Sequence, residues 1–349
     1  MNELLLSRLL SSLTPRRAVN IIKSTSSFVL SALTQRSIVW GLPPVLTIEP
    51  ANICNLRCPL CTTGSGEMKR VKGNMTLDTF RSVMDKFGKD IFFLLIYHQG
   101  EPYINPHFLD FVRLAKENNI YVTTSTNGHY FSDENIDATI ESGLDSMIVS
   151  VDGITQESYA KYRVRGKLDK VLDGTKKLMT RKRELGGRTP NVALQFLVMK
   201  QNEHEIPQIK KLAKELGVDR LLIKNIEVHS IEEANEWLPE DKAYRRYDFD
   251  GDQLTVKGVD KKSCTRPWLS TLVNWDGEVV PCCFDKNGNY PMGNIVDENQ
   301  LEDIWRGKRF SDFRNSLLQD RQNIDICSNC NQGFGSFLPR RKWQKNKKG

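Results

Sequence analysis

Residues 48–61 read IEPANICNLRCPLC and place three cysteines in a C-x3-C-x2-C pattern directly after a short apolar segment. A loop of this length can wrap the thiolates of Cys54, Cys58 and Cys61 around one face of a cubane iron–sulfur cluster. The fourth iron then has no protein ligand and is open to a substrate or cosubstrate. A structural zinc site needs four ligands, usually in paired C-x2-C units, and no fourth ligand is obvious near this loop. The pattern therefore favours a [4Fe–4S] cluster over zinc.

Apolar segments typical of strands alternate with helical segments from residue 45 to residue 225. The predicted strands are Val45–Ile48, Phe92–Tyr97, Tyr121–Ser125, Met147–Val151, Val192–Val198 and Leu221–Ile223. The predicted helices are Leu77–Phe87, a segment that starts near Phe108, Asp133–Ser142, Leu168–Leu185 and Ile206–Leu216. This alternation predicts a parallel sheet with right-handed crossovers. Six units favour an α/β fold built on a partial (β/α)6 barrel, with function at the carboxyl ends of its strands, although a doubly wound sheet also fits.

The other segments differ in composition from this alternating region. We predict basic, partly amphipathic helices over residues 1–44, the barrel over 45–225, a polar linker over 226–262, a small cysteine-rich module over 263–335 and a basic tail over 336–349. The module contains a hairpin-like segment, Leu272–Val280, that turns at Asp276-Gly277. The sequence thus predicts one large domain followed by a small one.

The net charge of +7 is concentrated at the two ends of the chain. Residues 1–40 contribute +4 and residues 340–349 contribute +6, which leaves the middle of the chain at −3. A basic surface for nucleic acid is therefore not indicated, and the tail lacks the interleaved stacking residues of a nucleic-acid reader. A non-catalytic iron–sulfur or zinc protein that binds nucleic acid through this tail is the alternative of another class.

The N-terminal segment does not resemble a secretory signal, because Glu3 and Arg8 lie in or beside the leucine run and no small-residue cleavage site follows. Eight cysteines without such a signal indicate metal-bound thiolates in a reducing cytoplasm. The leucines at positions 5, 6, 9, 10 and 13 predict a helix that ends at Pro15, and Val19–Leu33 is a second, more weakly amphipathic segment. Packing on the core, peripheral contact with the inner face of a membrane and a cleaved targeting peptide are the open interpretations.

The cysteine loop, its position after the first strand and the motifs that follow resemble the radical S-adenosylmethionine (SAM) superfamily. The C-terminal module is similar to the SPASM/twitch auxiliary-cluster domains of that family, and the resemblance covers about residues 45–335. It implies an enzyme that binds SAM at the open iron and cleaves it reductively to methionine and a 5′-deoxyadenosyl radical, which abstracts a hydrogen atom from the substrate. Leu60 departs from the family pattern, which often has an aromatic residue near the adenine at this position.

Motifs after the second, third and fourth strands resemble the SAM-binding elements of the family. They are Gln99-Gly100-Glu101-Pro102, similar to the GGEP motif, Ser125-Thr126-Asn127-Gly128, similar to the TNG turn, and Ser150-Val151-Asp152-Gly153, similar to the SxDG element. The resemblance implies that the backbone at Gly100 approaches the SAM ammonium group closely, that Glu101 stabilises this group electrostatically and that Ser150 contacts a ribose hydroxyl. Asn-Gly also forms left-handed turns that need no ligand.

Two further side chains complete the expected SAM site. Arg163 is placed to offer its fork of donors to the methionine carboxylate, and Gln195 on the fifth strand is placed beside the ribose. A solvated ion pair is the alternative interpretation for Arg163. An internally hydrogen-bonded glutamine is the alternative for Gln195.

The C-terminal module supplies the thiolates of Cys264, Cys282, Cys327 and Cys330, enough for one fully ligated auxiliary [4Fe–4S] cluster. Zinc on the same four residues is the alternative. The spacing does not decide between Cys282 and Cys283 as the ligand. SPASM domains with two auxiliary clusters have further cysteines, and since none follows Cys330, we predict one cluster.

The expected activity is that of a radical SAM oxidoreductase acting on a small, sugar-linked or lipid-linked molecule, with ferredoxin or flavodoxin as electron donor. Peptide modification is the alternative, because it is a common task of SPASM enzymes. Only 44 residues precede the first predicted strand. We expect this to be too few for the leader-peptide-binding domain that many peptide-modifying members carry.

Overall fold

The computed structural model describes residues 3–257, 264–297 and 301–331. Its main sheet has nine strands in the order β11-β10-β9-β1-β2-β3-β4-β5-β6. These strands are β1 Val45–Ile48, β2 Phe93–Ile96, β3 Tyr121–Thr126, β4 Ser146–Ser150, β5 Asn191–Val198, β6 Arg220–Asn225, β9 Ser270–Val273, β10 Glu278–Val280 and β11 Gly293–Asn294; β7 Tyr247–Phe249 and β8 Leu254–Val256 form a separate hairpin. Neighbours from β1 to β6 pair in parallel. The predicted α/β fold with a partial barrel of six parallel strands is confirmed.

The helices that follow the parallel strands cover one face of the sheet. The helices are α1 Glu3–Ser11, α2 Pro15–Thr34, α3 Thr62–Ser65, α4 Leu77–Phe87, α5 Phe108–Glu117, α6 Asp133–Glu141, α7 Gln156–Tyr162, α8 Leu168–Glu184, α9 Ile206–Glu215, α10 Ile231–Trp237, α11 Arg266–Leu269, α12 Leu301–Trp305, α13 Lys308–Asp320 and α14 Asp325–Ser328. The bounds of α4 are those predicted from the sequence. Thr76 caps this helix, since its side chain accepts a hydrogen bond from the Thr79 N–H.

Side chains alternate between the two faces of each parallel strand. Val192, Leu194, Phe196 and Val198 of β5 are fully buried in the core shared with the helices. Gln195 and Leu197 point to the opposite, inner face and are only partly buried. The same alternation in β1 and β2 leaves every second side chain, on the inner face, only partly buried.

The hairpin predicted at Leu272–Val280 is formed by β9 and β10, which pair antiparallel. It does not stand apart from the barrel, because β9 pairs in parallel with β1, with Val45 opposite Ser270 and Ile48 opposite Val273. This pairing satisfies the backbone groups that β1 would otherwise expose at the edge of the sheet. The cysteine-rich module and the barrel therefore share one continuous sheet.

The range that we predict to be a polar linker has structure of its own. It contains α10 and the β7–β8 hairpin, and Trp237, Leu238 and Tyr247 are buried in a second apolar cluster with residues of the cysteine loop. Most acidic residues of this range are exposed. Because they dominate its composition, the few buried apolar residues give no recognisable pattern in the sequence. Residues 258–263 and the predicted tail 336–349 lie outside the described residues.

The two N-terminal helices lie across the amino ends of the parallel strands. Arg8 forms an ion pair with Asp145, just before β4, and Arg16 forms one with Asp90, just before β2. Farther along α2, Ser31 accepts a hydrogen bond from the indole of Trp268, just before β9. None of the described helices is both long enough and apolar enough to span a bilayer.

Candidate active site

The cysteine loop leaves the carboxyl end of β1 and is held by backbone contacts along its length. The Asn105 amide donates to the carbonyl oxygens of Pro50 and Met75, at 2.7 and 2.9 Å. The Cys61 N–H donates to the Cys58 carbonyl at 3.2 Å, and Cys61 itself is the N-cap residue of α3. These contacts fix the path of the loop between β1 and α3.

Nitrogen donors lie at two of the three loop thiols. Cys54 Sγ accepts from the Leu56 N–H at 3.4 Å and from Asn127 Nδ2 at 3.7 Å, while Cys58 Sγ lies 3.7 Å from Arg163 Nη1. Burial raises the pKa of the Cys54 thiol to about 11 and also raises that of Cys58, against the effect of Arg163. Thiols in this environment stay protonated unless a metal binds, whereas N–H donors stabilise metal-bound thiolates.

Within the described residues, no group of three or more His, Cys, Asp or Glu side chains converges closely enough to hold a single metal ion. A cubane cluster has a different requirement, because each of its corner irons takes one thiolate. Three cysteines of one loop, close enough to influence one another electrostatically and with donors at two sulfurs, fit that requirement. The loop is thus a suitable holder for a three-cysteine [4Fe–4S] cluster.

The segment after β2 lies directly against the cysteine loop. Gly100 has a φ of +74°, and a Cβ at this position would lie 2.4 Å from the Ala51 carbonyl oxygen. The Glu101 N–H donates to the Ile53 carbonyl at 2.8 Å, and the buried Gln99 side chain accepts from Thr63 Oγ1 at 3.1 Å. Gly100 therefore lets the chain pass close to the backbone of the cysteine loop, and its approach to the SAM ammonium group stays a prediction.

Glu101 joins two of the predicted motifs. Its buried carboxylate accepts hydrogen bonds from the Thr126 hydroxyl and the Asn127 N–H, both at 2.7 Å, and a longer one from the Tyr103 N–H. Burial raises the pKa of the Glu101 carboxyl to about 7, against these donors. Pro102, also buried, begins a short 3₁₀ helix that turns the chain away from the loop.

Arg163 has an internal partner that the sequence analysis did not assign to it. Its Nε donates to Asp152 Oδ2 at 2.6 Å, and the other Asp152 oxygen accepts from the Leu197 N–H at 2.7 Å. Asp152 is fully buried and Arg163 nearly so, which excludes the solvated ion pair considered above. Arg163 thus connects the motif after β4 to Cys58.

Ser150 and Gln195 are register partners on β4 and β5 and point to the inner face of the sheet. Neither side chain makes a hydrogen bond to another described residue, so the internally bonded alternative for Gln195 finds no partner there. Two adjacent polar groups at the carboxyl half of neighbouring strands offer donors and acceptors to a ligand. Contact of these two side chains with the ribose stays a prediction.

The cysteines of the C-terminal module lie among arginines. Cys264, Cys327 and Cys330 influence one another electrostatically, and Arg321 Nη2 lies 3.6 Å from Cys330 Sγ. Burial raises the pKa of the Cys264 thiol, against the effect of Arg321 and Arg266. Nearby guanidinium groups favour thiolate ligands over thiols, which suits a cluster held by several cysteines.

Cys282 and Cys283 have different surroundings. Cys282 interacts electrostatically with Cys264, whereas Cys283 Sγ accepts from Arg266 Nη1 at 3.3 Å and lies near Tyr97 of the barrel. The adjacent Cys282 thiol and Arg266 both lower the pKa of the Cys283 thiol. Of the two, Cys282 is the one that interacts with Cys264, whereas Cys283 is the one bonded to Arg266.

The sequence analysis did not identify two charged features near the site, one arginine and one ion pair. Arg266 is one, and its position two residues after Cys264 was the available signal. The other is the buried ion pair of Arg70 with Glu49, with N–O distances of 2.7 and 2.6 Å. Glu49 also accepts from the Trp275 N–H, so this pair connects the start of the cysteine loop to the β9–β10 turn. A carboxylate directly after a buried strand was the signal in that case.

The family model described as "Radical SAM superfamily" matches residues 48–213, and the model of the SPASM iron–sulfur cluster-binding domain matches residues 264–331. Together they span the cysteine loop, the motifs after the strands and the C-terminal cysteines.

Similar proteins include the tungsten-containing aldehyde ferredoxin oxidoreductase cofactor-modifying protein of Pyrococcus furiosus, 27% identical over 82% of this chain and 86% of the relative. The PqqA peptide cyclase of Gluconobacter oxydans is 23% identical over 75% of this chain and 76% of the relative. Among solved structures, Streptococcus suis SuiB superimposes with a TM-score of 0.60 at 14% identity, covering 84% of this chain and 72% of SuiB. At that identity the superposition supports the fold alone.

Proposed function

Because the chain belongs to the radical SAM superfamily and carries a SPASM domain, we propose that Cys54, Cys58 and Cys61 hold the SAM-binding [4Fe–4S] cluster of that family. When reduced, this cluster supplies the electron that splits SAM into methionine and a 5′-deoxyadenosyl radical, which takes a hydrogen atom from the substrate. The observation that carries the proposal is the placement of the three cysteines against Gly100 and Asn127, with N–H donors at two of the sulfurs.

The residues around the loop divide the work of holding SAM. Ser150 and Gln195 are proposed to contact the ribose, because their polar groups face the inner side of the sheet without internal partners. A second group of residues surrounds the loop and is connected by hydrogen bonds. It consists of Gln99, Gly100, Glu101, Pro102, Thr126 and Asn127. In this unit Glu101 supplies negative charge near the SAM ammonium group. Arg163 is proposed to meet the methionine carboxylate with the nitrogens that Asp152 does not use.

In the SPASM domain we propose that Cys264, Cys282, Cys327 and Cys330 hold one auxiliary [4Fe–4S] cluster. This cluster would serve as the electron acceptor of a net oxidation. In such a reaction the substrate gives one hydrogen atom to the deoxyadenosyl radical, then one electron to the auxiliary cluster and one proton to its surroundings. The auxiliary site lies among Arg266 and Arg321, whose charge favours a reduced, more negative state. A ferredoxin or flavodoxin is the proposed source of electrons for the SAM-binding cluster.

The proposed substrate is a small, sugar-linked or lipid-linked molecule. The relative from Pyrococcus furiosus is named for modifying a cofactor, which supports a small molecule over a polymer. Peptide modification is the second candidate, and the observation in its favour is the similarity to PqqA peptide cyclase over three quarters of both chains.

The test is anaerobic cluster reconstitution followed by incubation with dithionite and SAM. The wild-type chain should produce 5′-deoxyadenosine, and Cys54→Ala, Cys58→Ala and Cys61→Ala should each abolish it. Cys264→Ala is the control: it removes an auxiliary ligand and should leave measurable uncoupled SAM cleavage. Zinc without iron in the loop, or no 5′-deoxyadenosine from iron-loaded wild-type protein, would refute the proposal.

A second experiment separates the substrate classes. Candidate small molecules and peptides are incubated with the reconstituted enzyme, and products are compared by mass spectrometry with the amount of 5′-deoxyadenosine. Loss of two hydrogen atoms from a small molecule, in proportion to the 5′-deoxyadenosine formed, supports the proposed oxidation. A new crosslink in a peptide supports the second candidate instead.

A further inference from the structure

The inner face of α2 is polar, which is the reverse of an ordinary surface helix. Its buried residues are Arg17, Asn20, Ser24, Ser27, Phe28 and Ser31. The Arg17 guanidinium alone donates to the backbone carbonyls of residues 12, 88, 118 and 119, at 2.7–2.9 Å. Carbonyl groups at the amino ends of the strands therefore hold this helix in place.

The rest of the inner face is hydrogen-bonded in the same way. The Asn20 amide both donates to the Leu42 carbonyl and accepts from the Leu42 N–H, at 3.0 and 2.8 Å. Ser24 Oγ donates to the same carbonyl, and Ser31 Oγ accepts from the Ile38 N–H and from the Trp268 indole. These hydrogen bonds hold the polar side of α2 against the rest of the protein, so the orientation of the helix does not depend on its larger aliphatic residues.

Those aliphatic residues point outward. Val19, Ile22, Val29 and Leu33 are exposed, Ile22 by 65% and Leu33 by 75%, and at 100° per residue they fall within an arc of about 80°. Leu6 and Leu10 of α1 and Trp40, which follows α2, are exposed as well. These seven residues, which we call the N-terminal apolar face, are seven of the twelve large exposed hydrophobic residues in the described parts of the chain. This concentration of exposed apolar side chains within residues 6–40 indicates a binding surface.

All charged residues of the chain segment that carries this face are basic. Residues 4–48 contain Arg8, Arg16, Arg17, Lys23 and Arg36 and no acidic residue. Three of these arginines are hydrogen-bonded to the rest of the protein. Lys23 and Arg36 are exposed and form no ion pair within the described residues. An exposed aliphatic face flanked by bases, with a tryptophan at its end, is the composition of a helix that lies in an anionic bilayer interface.

We propose that the N-terminal apolar face binds the surface of an anionic phospholipid bilayer, with α2 lying in the plane of the interface. A second copy of the chain is the less suitable occupant, since pairing two such faces would bring the bases of both copies together. The face lies at the amino ends of the strands, whereas Cys54, Gly100 and Asn127 follow their carboxyl ends. The bound protein would therefore hold its cysteine loop on the side away from the lipid. This inference does not depend on the proposed chemistry.

The test is flotation of the full-length, reconstituted protein with vesicles of phosphatidylcholine alone or of equimolar phosphatidylcholine and phosphatidylglycerol. Wild-type protein should float with the anionic vesicles and be released by salt. Ile22→Ser/Leu33→Ser should weaken binding about tenfold or more, because two large aliphatic side chains no longer enter the interface. Lys23→Glu/Arg36→Glu should weaken binding to anionic vesicles only.

Leu185→Ser/Val296→Ser is the control, since it removes two exposed aliphatic side chains elsewhere on the surface, 48% and 54% exposed. It should bind like wild type, and all variants should keep the wild-type circular dichroism spectrum. Equal binding by the Ile22→Ser/Leu33→Ser variant would overturn the proposal, as would no binding of wild type to anionic vesicles. A dimer in solution that this variant dissociates would assign the face to a second copy and overturn it too.

Discussion

The Glu101 carboxylate accepts a hydrogen bond from the Asn127 N–H at 2.7 Å, which connects the motif after β2 to the turn after β3. Asn127 in turn places its side-chain amide 2.8 Å from Asn55 Oδ1 and 3.7 Å from Cys54 Sγ. One buried carboxylate therefore sets the position of a donor at the cysteine loop. The geometry of the loop thus depends on contacts between motifs that are far apart in the sequence.

Glu101→Gln should alter how stability depends on pH. Burial raises the pKa of the Glu101 carboxyl from 4.5 to about 7, so between these values the folded protein holds a proton that the unfolded chain has released. The contribution of Glu101 to the free energy of unfolding therefore falls as pH rises through this window and is constant above it. Urea unfolding at both ends of the window should show a smaller fall for Glu101→Gln than for wild type. An equal fall in the free energy of unfolding for the two proteins would contradict the raised pKa of Glu101.

Gly100→Ala should displace the cysteine loop. The new Cβ would lie 2.4 Å from a backbone oxygen at a residue with positive φ, so we expect a loss of about 2 kcal/mol or more in the free energy of unfolding and a lower iron content after reconstitution. Gly186→Ala is the matched control, because Gly186 also has a positive φ but a Cβ there has no atom within 4 Å. Its free energy of unfolding should fall by the smaller amount that an unfavourable backbone conformation alone costs, and its iron content should equal that of the wild type. Normal iron content in Gly100→Ala would show that the loop tolerates the shift.

Arg163→Met should destabilise the protein by about 3 kcal/mol, because it leaves Asp152 as an uncompensated buried charge. Chemical unfolding of the cluster-free protein measures this cost separately from any effect on SAM. The control is Arg181→Met, which removes an equally well-formed but exposed pair with Asp137 and should change stability little. A similar small change in both variants would mean that the Arg163–Asp152 pair contributes no more than a surface ion pair.

Cys282→Ala should remove the iron of the auxiliary cluster, and Cys283→Ala should retain it. The reason is that Cys282 interacts with Cys264, whereas Cys283 is bonded to Arg266 and lies near the barrel. Iron analysis together with electron paramagnetic resonance of the reduced proteins distinguishes the two outcomes, since only the first variant should lose the auxiliary signal. The opposite pattern would assign Cys283 as the ligand.

Local signals in the sequence predicted the elements with strong periodicity or clear end signals. Helix α4 has the predicted bounds because Thr76 caps it and its apolar residues repeat at helical spacing. Helix α7 was not predicted: it has seven residues, too few for a periodic pattern, and its signal is the Thr155–Ser158 capping box. The β9–β10 hairpin was predicted from its turn, but its pairing with β1 was not, because strand partners distant in sequence leave no local pattern.

The N-terminal helices show most clearly that apolar periodicity does not predict which face of a helix is buried. The apolar spacing of α2 is visible in the sequence, yet the inner face of this helix is the polar one, because backbone carbonyls at the strand ends bind Arg17, Asn20 and the serines. Which side of an amphipathic helix is buried depends on what the rest of the protein presents to it.

For this chain, the sequence by itself determined the family and the α/β class and predicted the candidate cysteine ligands, because these depend on residue type and short spacing. Only the tertiary structure decided that Glu101 supports the Asn127 turn, that Arg163 pairs with Asp152 and that Arg266 meets Cys283. Each of these contacts joins residues from different elements. Their energies come from burial and from distances that exist only after the sheet has formed.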